Sequence, residues 1–167
     1  MLAGCYVSDQ PFIAADTADY PIADGAAFQV FRPAGDDWRP QPGRRVAREG
    51  AYYIYLEEPD GKRSAPFLIK RVAENTYVVQ MNDTADLARV TEYYYQLIDF
   101  DGMTAIQYSG TCAARPGWIE RNLIARVEDA AATPRCIFDN FENLVAVLAE
   151  ASRNAAPEAR FVLANPP

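Results

Sequence analysis

Five residues within eleven positions could do recognition chemistry: Trp38, Arg39, Arg44, Arg45 and Arg48. Arginine forks match a carboxylate or a phosphate, and an indole can lie on a sugar ring or a lipid headgroup. The run has two readings. It is a patch that contacts a partner or ligand, or it is a solvated strand edge with Trp38 folded onto the core. In the second, Asp36, Asp37 and Glu49 neutralise the arginines; this is the commoner arrangement. Carboxylates are the other candidates. Glu120, Glu128 and Asp129 could supply an acid–base pair. Asp9, Asp16, Asp19 and Asp24 could gather round calcium, but their spacing fits no EF-hand loop. Both groups read as solvated side chains, so no catalytic residue, metal or cofactor is expected.

The chain has no histidine. Ser-His-Asp and Cys-His mechanisms are excluded, as are the common histidine-bearing zinc and iron sites. An enzyme built on this sequence would have to use tyrosine, arginine and carboxylates. The net charge of −7 argues against a nucleic-acid partner, because neutralising phosphates needs a basic face.

Three cysteines stand at Cys5, Cys112 and Cys136. The first ends the run Leu2-Ala3-Gly4-Cys5. This run resembles the lipobox of bacterial lipoproteins, in which a signal peptidase cuts before the cysteine and its thiol takes up a diacylglycerol. The resemblance implies lipidation of Cys5 and a membrane partner reached through the lipid anchor. Tyr6 follows the cysteine where an aspartate is linked to inner-membrane retention, so the implied address is the outer membrane, facing the periplasm. Lipidation of Cys5 would leave Cys112 and Cys136 as an even pair. In an oxidising compartment they would bridge; otherwise they read as two buried reduced thiols.

The elements that must position these residues are mostly strands. From Gly50 to Tyr108 the sequence is a series of runs rich in Tyr, Phe, Val and Ile, punctuated by Pro59-Asp60-Gly61, Glu74-Asn75 and Asp101-Gly102. That is the pattern of an antiparallel meander, with Asp-Gly its strongest hairpin signal. Both faces of several runs are apolar. In Val90–Phe100, Tyr93, Tyr95 and Leu97 share one face, and Tyr94, Gln96, Ile98 and Phe100 the other. A sheet covered on both sides satisfies this, and so does a small barrel with a lined interior. A further strand is expected over Ala26–Arg32, and Pro33–Gly43 reads as a loop because of its prolines and glycines. Ile119–Val127 reads as a short helix or strand.

One helix is expected from Asp139, with Asp139 and Glu142 at capping-box spacing and Phe141, Leu144, Val145 and Leu148 as its apolar stripe. Pro157 stops it, and Arg160–Ala164 reads as a short edge strand. The expected fold is α+β: a curved, mainly antiparallel, barrel-like meander of about six strands with one C-terminal helix packed on it. Residues 25–167 form a single globular domain, and residues 1–24 are the lipobox and a tether, with docked segments at Phe12-Ile13 or Tyr20-Pro21-Ile22. The functional expectation is a non-enzymatic envelope lipoprotein that binds or scaffolds a partner. The alternative is a carrier of a small apolar ligand in a Tyr-lined pocket; a histidine-independent enzyme ranks below both.

Overall fold

The computed structural model describes residues 6–108, 112, 117–129 and 134–164. In chain order its strands are β1 (Tyr6–Ser8), β2 (Ala27–Ala34), β3 (Asp37–Glu49), β4 (Tyr52–Glu57), β5 (Lys62–Arg63), β6 (Phe67–Arg71), β7 (Thr76–Asn82), β8 (Tyr93–Phe100), β9 (Thr104–Tyr108), β10 (Arg126–Asp129), β11 (Pro134–Ile137) and β12 (Ala159–Leu163). Helix α1 covers Phe141–Ser152. The fold is mostly antiparallel β with one α-helix among the described residues.

Eight strands close on themselves. The ring runs β2-β3-β4-β6-β7-β8-β9-β12 and returns to β2, antiparallel at every step. Strand β8 is shared. Leu97–Phe100 pair with β9 inside the ring, while Tyr93 and Tyr94 pair with β1 outside it. From β1 a wing extends through a parallel pairing to β11 and then to β10.

This arrangement accounts for strands that are apolar on both faces, and the two arrangements weighed from the sequence hold together. Alternate residues such as Val46, Tyr53, Phe67, Val79, Ile98 and Phe100 line the inside of the barrel. Their neighbours Leu68, Val78, Tyr95 and Leu97 point outward into a second core. That core is completed by α1, through Leu144, Val147 and Leu148, and by Trp118. Asn140, one residue later than expected, caps the helix. Its side chain accepts a hydrogen bond from the Asn143 amide at 2.9 Å.

Cys112 and Cys136 form a disulfide with a Cα–Cα distance of 5.6 Å, both fully buried in the outer core. It ties the chain beyond β9 to β11, which leads directly into α1. Cys5 lies outside the described residues.

Three expectations need correction. Pro33–Gly43 is not a loop: β2 and β3 form a long ribbon whose turn is Gly35-Asp36, with Gly35 at φ +67°. Pro40 and Pro42 sit on β3 short of Arg44, where its pairing with β4 begins. A missing N–H on that open side forfeits no ladder bond. Arg160–Ala164 is not an edge strand. β12 lies between β2 and β9 and closes the barrel. Ile119–Val127 is a turn followed by β10, with Asn122 at φ 54°.

Residues 6–24 are built into the fold rather than hanging from it. Tyr6, Val7 and Ile13 are buried, and β1 is a paired strand. The Gln80 side chain holds residues 12 and 13 from the outer face of β7. Its Oε1 accepts from the amides of Phe12 at 2.7 Å and Ile13 at 2.8 Å, and its Nε2 donates to the Ile13 carbonyl at 3.0 Å.

Further along, residues 17–22 fill the thinnest seam of the ring, where β4 and β6 share the single pair Tyr53–Phe67. Asp19 bridges to Ile69, its amide 2.8 Å from that carbonyl. On the other side, the Tyr53 hydroxyl donates to the Ile22 carbonyl at 2.7 Å and accepts from its amide at 3.1 Å. Burial raises the pKa of this phenol.

Candidate ligand site in the barrel and at its mouth

The barrel is not filled. An apolar cavity of about 100 Å³ lies inside it, walled by Phe28, Val46, Ile69, Val79, Ile98 and Phe161 among others. Ile22 also faces it, so the segment that plugs the seam is part of the lining. Its residues with polar side chains are few: Gln96, Gln107, Tyr55 and Arg44.

The β2–β3 pairing is interrupted by a bulge just before Arg44. On β2, Phe28 pairs with Arg44 and Val30 with Gln41, so two steps on one strand face three on the other. The extra residue falls at Pro42-Gly43. A Cβ on Gly43 would stand 3.3 Å from the Phe28 carbonyl oxygen and 3.4 Å from Glu58 Oε2, a close approach that glycine accommodates. Beyond the bulge strict alternation resumes, so Arg44 shares Val46's inward side, and Arg45 turns outward to pair with Glu58 at 3.1 Å.

The Arg44 guanidinium carbon lies 4.2 Å from the centre of the Tyr55 ring and 5.7 Å from that of Phe161. Its side chain is 19 % exposed. Nη2 is 3.6 Å from Glu57 Oε1, beyond hydrogen-bond reach, and Nε is buried with no hydrogen-bond partner. Arg44 and Tyr55 also wall a second, polar cleft of about 230 Å³, together with Arg32, Glu57, Lys62 and Arg63. The pair thus separates an apolar chamber from a cationic vestibule. In a chain of net charge −7, such a local excess of positive groups concentrates anions.

The five residues singled out from the sequence are dispersed. Arg44 lines the chamber. Arg45 is on the outer wall. Arg48 stacks on the Tyr20 ring at 3.9 Å, over the plugging segment. Trp38 lies on the projecting ribbon, where Arg160 stacks on it at 4.9 Å, and Arg39 is exposed opposite Arg32. The carboxylates also have structural partners. Asp24 accepts from the Arg48 amide, Asp19 from the Arg71 amide, and Glu120 from the Gly117 amide, each at 2.8 Å. Asp101 caps its own hairpin by accepting from the Thr104 and Met103 amides, which lowers its pKa. Among the described residues no group of three or more Cys, Asp or Glu side chains is placed to hold a metal.

Sequence reasoning missed Tyr55, Phe161, Arg32, Lys62 and Arg63 as neighbours of Arg44. The one available signal was parity: Arg44 and Val46 share a strand face, provided the strand begins before residue 44.

No protein-family model, no curated protein and no solved structure matches this chain.

Proposed function

We propose that the protein is a non-catalytic binding module of the bacterial cell envelope whose barrel takes up a small apolar ligand. The observation that carries this reading is the chamber walled by Val46, Ile69, Val79, Ile98 and Phe161. At about 100 Å³ it is of the order of the apolar cavity, about 150 Å³, that accepts benzene. A ligand that enters it takes its own apolar surface and that of the lining out of water. Titration with benzene, followed by methyl NMR, should move the resonances of Val46, Ile69, Val79 and Ile98 saturably and raise Tm. Shifts confined to outer-core methyls such as those of Leu144 and Val147, or no saturable shift at all, would remove the chamber as the binding site.

The envelope address has its own support. The Leu2-Ala3-Gly4-Cys5 run resembles a lipobox, and a Cys112–Cys136 bridge is chemistry that persists in oxidising compartments. Intact mass of the protein extracted from membranes of its native host is expected to show acyl chains on Cys5 and two hydrogens missing from the other cysteines. A water-soluble, unacylated and fully reduced product would refute the address and leave the chamber untouched.

A further inference from the structure

We propose that the ligand is an amphiphilic monocarboxylate, with its apolar body in the barrel and its carboxylate on the Arg44 guanidinium. This rests on the reading of the barrel as a binding chamber and adds the chemistry of one end.

Three observations converge on Arg44. It is common to the walls of the apolar chamber and the cationic vestibule, so a molecule with one end in each would touch it. Its hydrogen-bonding capacity is underused: Nε is buried without a partner, and Glu57 stands 3.6 Å from Nη2. A buried donor left unpaired is destabilising, and an acceptor that draws the guanidinium out of this position relieves it. Its surroundings are aromatic, with Tyr55 at 4.2 Å and Phe161 at 5.7 Å from the guanidinium carbon. In such a wall water competes poorly and a charge-assisted bond is at its strongest.

The guanidinium fork fits the two oxygens of a carboxylate. A single negative charge is also what the site can hold. Of the vestibule cations, Arg32 lies 3.7 Å from Glu158, Arg63 pairs with Glu49 and Arg44 itself lies 3.6 Å from Glu57, so all three are already partly neutralised. Lys62 is exposed and supplies attraction from outside. Glu57, facing Arg44 across the β3–β4 pair, is the internal carboxylate that an incoming one must compete with.

The test is a matched series that shares one ring: benzoate, benzyl alcohol and benzylammonium, titrated into the folded protein at pH 7 and low salt. Benzoate is expected to bind about tenfold or more tighter than benzyl alcohol, with benzylammonium weakest. Arg44→Gln should abolish the preference for benzoate while benzyl alcohol still binds. Glu57→Gln should tighten benzoate several-fold without moving benzyl alcohol, and it decides the matter if Arg44→Gln does not fold. If benzyl alcohol binds as well as benzoate, or the preference survives Arg44→Gln, or Glu57→Gln leaves benzoate unchanged, the carboxylate assignment is wrong and the chamber remains. If neither these three nor benzene binds, the chamber reading itself fails.

Discussion

Replacing Gln80 by leucine is expected to destabilise the protein by about 3 kcal/mol or more. The side chain is 2 % exposed and serves four partners. It accepts from the Phe12 and Ile13 amides and from the Tyr95 hydroxyl, the last at 3.0 Å, and donates to the Ile13 carbonyl. Leucine matches the volume and removes every one of these bonds. The two amides and the carbonyl belong to a segment packed against the outer core, so water cannot take over without lifting that segment off the barrel. Each buried group left unpaired costs about 1–3 kcal/mol, and the Tyr95 hydroxyl partly rescues the Phe12 amide from 3.3 Å.

Burial raises the pKa of the Tyr95 phenol strongly, with its hydrogen bonds to Ser8 and the Phe12 backbone acting in the opposite sense. The phenol therefore stays neutral and keeps donating well into the alkaline range. Urea unfolding measures the loss, and a double-mutant cycle with Tyr95→Phe should show coupling between the two residues. A loss below about 1 kcal/mol, with no coupling, would mean that residues 12 and 13 are held by something else.

The second large effect is expected from removing the disulfide. The bridge spans a sequence separation of 24, for which chain entropy gives about 3.5 kcal/mol. Alanine at both Cys112 and Cys136 avoids burying new hydroxyls. Such a variant should unfold at a lower urea midpoint and with a larger m value, because its unfolded chain is freer to expand. A lower midpoint with an unchanged m value would assign the loss to two cavities in the outer core rather than to the cross-link.

Much of the barrel was readable in advance because its information is local. The alternation in Tyr93–Phe100 assigns Tyr93, Tyr95 and Leu97 to one core and Ile98 and Phe100 to the other, Asp101-Gly102 makes the hairpin, and the stripe of Leu144 and Leu148 marks the buried side of the helix. What could not be read depends on partners distant in sequence. Gln80 looks like any polar residue on a strand until the backbone of residues 12 and 13 comes down on it. Arg160–Leu163 is too short to announce that it has a neighbour on each side.

The proline-rich run at residues 33–43 misled for a different reason. Prolines and glycines break ladders in general, but here they fall on a ribbon with an open side and at a bulge. Alternation scatters the arginine cluster, sending Arg44 and Arg45 to opposite sides of the wall. The candidate site was therefore legible in its ingredients but not in the distant neighbours that gather round Arg44.

The placement of β12 has a consequence for how the molecule is made. Until residues 159–163 have emerged and docked, β2 and β9 present two naked edges of a seven-stranded open sheet, with the oily lining turned toward solvent. Newly synthesised chains should thus pass through a stage in which they adhere to one another. The slow, long-range closure of the ring marks the moment when that danger ends.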